Sequence, residues 1–271
     1  MPTPPDYWTD RVTVVTGASA GLGFALAKAA AAAGSRVVLV ARDQDRLRVA
    51  EQNLAVPEGR TLAATADVTD PEAVDRLRES VLARFGRVDL LANCAGVSQR
   101  GRAIDTEVSE FRRLMEINFF ASVQTTAAFV PSLLEQRGHA VHIGSLASKT
   151  ASRYLGAYPA SKHALAAYAQ QLRLELGPDL HTLLVCPGPI ARPDSGERYQ
   201  SDANVPDAAQ GPAGGARLRG IDPEWLAQRI LRACEGRQAE LVVPLKARLL
   251  FTAAQLSPRF GDWLLTRFTA S

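Results

Sequence analysis

Cysteine is scarce in this 271-residue chain: there are three, an odd number, and no two form a C-x-x-C pair. Their spacing argues against a disulfide framework and indicates free thiols in a reducing compartment. Histidine is also scarce, and the four histidines do not have metal-ligand spacing with the cysteines. We therefore expect no metal site and a cytoplasmic protein.

A strong excess of one charge is also missing, since 31 Lys and Arg residues face 28 Asp and Glu residues. A net charge of +3 with interspersed signs gives no reason to expect nucleic acid as a partner. No apolar run reaches the length of a bilayer span, and the proline-rich segment Met1 to Asp6 lacks the apolar core of a signal peptide. We expect neither a transmembrane segment nor a signal peptide.

What the chain does contain is a glycine-rich stretch from Thr16 to Gly23, TGASAGLG. The run before it, Val12 to Val15, is β-branched and uncharged, as in a parallel strand covered on both faces. The run after it, Leu22 to Ala33, is rich in alanine and stops at Gly34, which is typical of a helix. Although the spacing departs from the commoner G-x-G-x-x-G pattern, the stretch predicts a phosphate cradle at a helix start.

Apolar runs and helical periodicities alternate along the rest of the chain. Further strands are predicted at 36–41, 61–66, 88–92, 139–143, 180–186 and 240–243, and helices at 43–54, 72–85, 107–134, 158–176 and 221–234. This alternation predicts an α/β fold: one doubly wound (Rossmann) parallel sheet with helices on both faces. We assign residues 11–244 to this single domain and expect its ligand at the carboxyl ends of the strands.

Two positions at predicted strand ends bear on the choice of cofactor. Arg42 follows the second strand, where an acidic residue would hold a free ribose 2′-hydroxyl and a guanidinium suits a 2′-phosphate. The alternative is a solvated arginine that opens the next helix. Asp67 follows the third strand and either faces adenine or is an ordinary loop or capping residue.

Tyr158 and Lys162 lie four residues apart near the start of a predicted helix and so share one face. The pKa of a tyrosine, near 10 in solution, is too high for proton transfer at neutral pH, and a neighbouring ammonium lowers it. Asn118 stands inside another predicted helix, where the plain interpretation is a solvent-facing or capping side chain.

The glycine stretch, Asn93-Cys94-Ala95-Gly96, Asn118, Ser145 and Tyr158-x-x-x-Lys162, in this order, resemble the short-chain dehydrogenase/reductase family over roughly Arg11 to Pro244. The resemblance implies that Tyr158 is the general acid/base, with Lys162 tuning it and holding the nicotinamide ribose. Ser145 would hold the substrate oxygen, and Asn118 would position a water of a proton relay. The implied cofactor contacts are Gly17, Ser19, Gly21, Leu22, Gly23, Asp67, Val68, Asn93, Gly96, Tyr158, Lys162, Pro187, Gly188 and Ile190.

Two residues depart from the family pattern. Cys94 replaces a second asparagine, which removes a polar anchor between strands, and Arg192 replaces a threonine that contacts the nicotinamide amide. We predict a loop over the site from Arg192 to Gly220 and, as a guess, a substrate pocket lined by this loop with Leu146, Tyr154 and Leu155.

These features together predict an NADP-dependent oxidoreductase that interconverts a carbonyl and a secondary alcohol, with NAD as the less favoured cofactor. The substrate would be an unidentified small molecule, and an apolar lid would suit a hydrophobic ketone. The alternative is a dinucleotide-binding regulator that keeps the fold without turnover, and the intact Ser145, Tyr158 and Lys162 argue against it. We also expect a homodimer or homotetramer.

The tail from Leu245 to Ser271 lies beyond the resemblance. Its apolar residues recur at steps of three and four across a break at Pro258, which predicts two short amphipathic helices. They either fold back on their own domain or a partner subunit, or rest on an anionic membrane with basic residues beside them.

Overall fold

Seven parallel strands form the sheet of this protein in a computed structural model, which describes residues 6–54, 56–191 and 220–269. The strands are β1 (Val12–Thr16), β2 (Arg36–Ala41), β3 (Thr61–Thr65), β4 (Leu90–Asn93), β5 (His139–Ile143), β6 (His181–Pro187) and β7 (Glu240–Val243). Their order across the sheet is β3-β2-β1-β4-β5-β6-β7. Strands β1, β4 and β6 are buried along their whole length, as parallel strands covered on both faces require.

Helices cover both faces of this sheet. They are α1 (Gly21–Ala32), α2 (Gln44–Gln52), α3 (Pro71–Phe85), α4 (Val108–Met115), α5 (Ala121–Glu135), α6 (Tyr158–Leu176), α7 (Pro223–Glu235), α8 (Ala247–Leu256) and α9 (Pro258–Thr269). Leu26 of α1 and Ile230 of α7 belong to the core on one face. Val81 of α3 and Phe129 of α5 belong to the core on the other. The doubly wound sheet predicted from the sequence is therefore confirmed.

The predicted helix from Glu107 to Leu134 is one continuous helix, Val108–Glu135, with a π-helical turn at Glu116–Phe120 between α4 and α5. The helix has 28 residues, and an 18-residue window within it has a mean hydropathy of 1.3. By length and composition alone it would pass for a bilayer span, so our expectation that no run is long enough was wrong by this measure. The helix packs against β4, β5 and α3, and Phe129 and Leu133 are fully buried. Phe129 and Leu133 thus belong to the core of the domain, whereas Val108 and Phe120 of the same helix are exposed.

The connection from β3 to β4 reverses the direction in which strands are added, because β4 returns to pair with β1. In doubly wound sheets a crevice opens at this switch point, beyond the carboxyl ends of the two strands. The glycine-rich turn after β1 and the segment after β4 both lie there. The topology therefore brings together two of the motifs found in the sequence.

The tail forms the two helices that its pattern predicts, α8 and α9, which meet at Ser257 and Pro258. Phe251 of α8 is buried against Leu184, Cys186 and Val242, so the inner side of this helix covers β6 and β7. Gly261 of α9 lies so close to Ala254 of α8 that a Cβ atom added to Gly261 would be 2.6 Å from the Cα atom of Ala254. The two helices therefore pack tightly against each other.

Candidate active site

The turn between β1 and α1 has the geometry of an anion cradle. Gly17 and Gly21 have φ angles of +65° and +57°, which favour glycine. A Cβ on Gly17 would be 2.9 Å from the backbone nitrogen of Ala95, and one on Gly23 would collide with the Gly17 carbonyl oxygen. Among the residues that the structure describes, no side chain caps the start of α1, and its first turn contains no acidic residue, so its N–H groups are available to a phosphate.

One cleft of about 780 Å³ extends from this cradle to the ends of β2 and β3. Its lining includes most of the predicted cofactor contacts: Gly17, Ser19, Gly21, Leu22, Gly23, Arg42, Asp67, Val68, Gly96 and Ile190. The cleft is large enough for a dinucleotide, since ligand sites commonly enclose about 300–1,000 Å³. The structure thus brings together residues that lie up to 173 positions apart in the sequence.

Two arginines and an aspartate lie at the far end of this cleft. Arg42 is largely exposed and forms a long ion pair with Asp67, at 3.8 Å. Burial of Asp67 is outweighed by two hydrogen bonds from Thr69 and by the Arg42 charge, which together hold the pKa of its carboxyl below the usual value. Arg46, in the first turn of α2, also lines the cleft and supplies the second basic residue that the sequence did not suggest.

The segment after β4 is divided between the cleft and the core. Asn93 is buried, and its side-chain amide bonds Thr125 and Thr126 of α5, so its side chain does not line the cleft. Cys94 lines the cleft, and burial raises the pKa of its thiol to about 12. Gly96 also lines it, and a Cβ there would be 3.0 Å from Asn118 Oδ1. The polar anchor in this segment is Asn93 itself, in spite of the cysteine beside it.

Tyr158 is the first residue of α6, and Lys162 follows one turn later on the same face. The Lys162 Nζ atom is 5.8 Å from the centre of the Tyr158 ring and donates a hydrogen bond of 2.8 Å to the carbonyl oxygen of Ile143, at the end of β5. Burial lowers the pKa of the Lys162 ammonium to about 8. The pair therefore has the predicted geometry, although neither residue lines the 780 Å³ cleft.

Asn118 is fully buried, which corrects the plain interpretation of a solvent-facing or capping residue. It lies in the π-helical turn, accepts a hydrogen bond from the backbone N–H of Val97 (2.8 Å) and donates to the Val97 carbonyl (2.9 Å) and to Ser161 Oγ (3.0 Å). The extra residue of such a turn places a side chain where a regular helix would not. Asn118 thereby connects the segment after β4 to the helix of Tyr158.

Ser145 follows β5 and begins the short 3₁₀ turn Leu146–Ser148, accepting a hydrogen bond of 3.1 Å from the backbone N–H of Ala147. Pro187 ends β6, and the N–H of Gly188 donates to the carbonyl of Val243 at 2.7 Å. Ser145, Pro187 and Gly188 lie at the carboxyl edge of the sheet near Leu146, outside the lining of the large cleft. Ile190, in contrast, lines this cleft. The predicted site residues thus occupy one edge of the sheet.

The substrate pocket guessed from the sequence differs from the cavity that the structure contains around Tyr154 and Leu155. A cavity of about 690 Å³ is lined by Tyr154 and Leu155 together with Ile104 and Phe111, but Leu146 instead packs on the core beside Phe251. Arg192 and the predicted loop up to residue 219 lie outside the described residues.

A cluster of buried histidines at the opposite, amino edge of the sheet was not suggested by the sequence. His139, His181 and Cys234 place possible metal-ligating atoms within 4.8 Å of one another. Both nitrogens of each imidazole already have hydrogen-bond partners, since Tyr7 Oη lies 2.7 Å from His139 Nε2, the two Nδ1 atoms are 2.8 Å apart and His181 Nε2 lies 2.8 Å from the Gln238 carbonyl. The cluster therefore fits a hydrogen-bonded chain better than a metal site.

Comparison with known proteins agrees with this geometry. A family model described as short chain dehydrogenase matches residues 11–203. The dehydrogenase/reductase SDR family member 7B of Xenopus laevis is 38% identical over 248 residues, which cover 88% of this chain and 75% of that protein.

Solved structures show the same likeness. A short-chain dehydrogenase from Streptomyces avermitilis superposes with a TM-score of 0.78 at 31% identity, over 95% of this chain and 96% of the other. The L-sorbose reductase of Gluconobacter frateurii, in complex with NADPH and L-sorbose, gives a TM-score of 0.75 at 28% identity, over 87% and 95% of the two chains.

Proposed function

The chain belongs to the short-chain dehydrogenase/reductase family, and we propose that it is an NADP-dependent oxidoreductase that interconverts a carbonyl and a secondary alcohol. The observation that carries the proposal is the arrangement of Tyr158, Lys162 and Asn118 at the carboxyl edge, next to a glycine cradle. Oxidoreductase chemistry follows from the family, whereas the cofactor and the substrate are what we propose.

The residues present fit a dinucleotide. The cradle depends on the missing Cβ atoms of Gly17 and Gly23, and the N–H groups of α1 would bind the pyrophosphate. Asp67 and Val68 would flank the adenine, and Ile190 would border the nicotinamide. When bound, the nicotinamide cofactor supplies the hydride that the protein itself lacks.

The preference for NADP rests on two guanidinium groups. Arg42 and Arg46 both line the end of the cleft where an adenosine ribose would lie, and each offers several N–H donors to a 2′-phosphate. The Arg42–Asp67 pair is long and exposed, so it contributes little that a phosphate would have to replace. The relative that binds NADPH, L-sorbose reductase, is consistent with this choice.

Proton transfer falls to Tyr158 in this proposal. During reduction its hydroxyl would donate a proton to the substrate oxygen, and the Lys162 ammonium 5.8 Å from its ring would stabilise the phenolate that remains. Ser145 would donate a hydrogen bond to the same oxygen. Asn118 is positioned by Val97 and Ser161, and it would hold the relay through which Tyr158 regains its proton.

The test is Tyr158→Phe, which keeps the ring and removes the proton donor. General acid/base groups contribute about 10²–10⁴-fold, so turnover of any carbonyl found in a screen with NADPH and NADH should fall by at least 100-fold while NADPH binding persists. Tyr168→Phe makes the same chemical change later on α6, outside the linings of the large cleft and of the 690 Å³ cavity, and should leave turnover unchanged. A Tyr158→Phe enzyme that keeps most of its rate would refute the assignment, and NADPH binding with no turnover of any carbonyl or alcohol would favour the regulatory alternative.

A further inference from the structure

Large apolar side chains are exposed on both helices of the tail. Leu249 and Leu256 of α8 are 78% and 83% exposed, and Leu245 just before α8 is also exposed. Phe260 and Trp263 of α9 are about half exposed, and their rings stack with centres 5.8 Å apart. We call these five residues the tail face. Clustered exposed apolar side chains of this size usually mark an interaction surface.

The inner side of the same helices is already packed, so the tail face is not a displaced core surface. Phe251 is 6% exposed and packs with Ala247 over β6 and β7. Leu249 and Leu256 are seven residues apart, which places them on one side of α8, about opposite Phe251. The tail therefore packs on the domain through its inner side, while the side chains of the tail face remain about half exposed or more.

The net positive charge of the chain comes from the same segment. Leu245 to Ser271 contains four basic residues and one acidic residue, and removing these from the 31 basic and 28 acidic residues of the whole chain leaves 27 of each. The tail therefore carries the entire net charge of +3. Lys246 and Arg259 are exposed beside the tail face.

This charge distinguishes between two possible occupants of the surface. In a symmetric dimer built on this face, the same patch would meet its own copy and bring two tails of charge +3 together. An anionic bilayer offers an apolar layer to the leucines and aromatic rings, and phosphate groups to the basic residues. We propose that the tail face docks on an anionic lipid bilayer.

The position of the tail gives this docking a consequence for the site. Phe251 and Ala247 pack on the same small core as Leu146, which directly follows Ser145. Glu240, at the start of β7, connects the Ser145 segment to α8, because it forms ion pairs with Lys149, after the 3₁₀ turn, and with Arg248 of α8. A docked chain would hold the Ser145 segment close to the bilayer surface.

The experiment is flotation of the full chain with phosphatidylcholine vesicles that contain or lack phosphatidylglycerol. We expect binding to the anionic vesicles that weakens with added salt. The double variant Leu249→Glu/Leu256→Glu should lower vesicle partitioning by at least tenfold, since it replaces two apolar side chains by carboxylates that an anionic bilayer repels. The control Leu174→Glu changes a leucine of α6 that is equally exposed, at 73%, and should bind as the wild type does.

A charge variant tests the second half of the proposal. Lys246→Gln/Arg259→Gln should weaken binding to anionic vesicles by about fivefold for each charge removed. Arg112→Gln, an exposed site on α4, is the control. Sedimentation of all variants without lipid reports their oligomeric state, and circular dichroism reports their folding.

Three results would overturn the proposal: no vesicle binding by the intact chain, equal binding to neutral and anionic vesicles, or loss of an oligomer in Leu249→Glu/Leu256→Glu without loss of vesicle binding. The last would assign the tail face to a second copy of the chain. Partitioning is measured without turnover, so failure of the proposed reaction would leave a positive result standing.

Discussion

Acidification should destabilise this protein through its buried histidine chain. The Gln238 carbonyl can only accept, so His181 must donate from Nε2 and, when neutral, accept at Nδ1 from His139. His139 then accepts at Nε2 from the Tyr7 hydroxyl. Every nitrogen is satisfied while both rings are neutral. A proton added to His181 Nδ1 would place two N–H donors opposite each other at 2.8 Å.

The surroundings reinforce this preference for neutral rings. Burial, the neighbouring imidazole and the charges of Arg237 and Arg11 lower the pKa of His139 to about 2. Burial lowers the pKa of His181 to about 4, the Gln238 bond opposing the shift and Arg237 adding to it. The remaining titratable group of the cluster is the Cys234 thiol, whose pKa is raised by burial.

The sign of the effect follows from these shifts. An unfolded histidine has a pKa of about 6.5, so the unfolded chain binds more protons than the folded one between that value and the folded pKa values of about 4 and 2. The stability is fully present above pH 6.5 and is lost as the pH falls. At about pH 5 the loss is about 2 kcal/mol for each histidine, so about 4 kcal/mol in all. Domains of this kind have only about 5–15 kcal/mol.

The assay is urea denaturation between about pH 7.5 and pH 5, a range above the titration of most carboxylates. We expect the free energy of unfolding to fall with a slope that steepens below pH 6.5. His139→Gln/His181→Gln should make this slope shallower but not level, whatever the stability of the variant at neutral pH, because burial also lowers the pKa of His142 to about 4. His163→Gln, an exposed histidine of α6, is the control. A wild-type stability that stays level over this range, or a double variant with an unchanged slope, would refute the reasoning.

Two further predictions concern the cleft and the site. Arg42→Ala/Arg46→Ala should raise the Kd for NADPH by at least tenfold and leave the Kd for NADH unchanged, since each charge-assisted hydrogen bond contributes about 1.5–3 kcal/mol. Arg48→Ala, outside the cleft, is the control. Equal losses of affinity for both cofactors in a binding titration would contradict a 2′-phosphate site. Gly96→Ala should lower the free energy of unfolding by about 1–3 kcal/mol, as measured by thermal denaturation, because the added Cβ would crowd Asn118. Gly236→Ala, whose Cβ would make only ordinary contacts, should leave the stability almost unchanged. Equal losses of stability in the two variants would contradict the crowding.

The fold was predictable because its signals are local. The run that forms β1 and residues Val37 to Val40 of β2 are uncharged and mostly β-branched, and the alanine-rich run that forms α1 ends at glycine. Each signal lies within about ten residues, and their alternation leaves few possible topologies. The cradle could be recognised for the same reason, since its turn glycines lie within a single turn between a strand and a helix.

The features that the sequence did not reveal all depend on contacts between distant residues. The side chain of Asn93 turns into the core because Thr125 and Thr126, more than 30 positions away, satisfy its amide. The burial of Asn118 depends on a π-helical turn, which no apolar periodicity announces. Arg46 was the exception: its position one turn after Arg42 could have suggested a second basic group in the cleft.

The hydrogen-bonded histidines and the candidate active site lie on the same two strands, β5 and β6. Protonation of these histidines can therefore disturb the site through the strands. His139 and His181 are register partners at the start of β5 and β6, and four residues later Ile143 pairs with Val185. Ile143 holds the Lys162 ammonium through its carbonyl oxygen. Because these strands lie inside the sheet and are buried, opening the histidine pair disrupts the ladder that supports Lys162. An acidic arm in a rate profile would therefore contain a contribution from unfolding, which His139→Gln/His181→Gln separates from the proposed proton transfer at Tyr158.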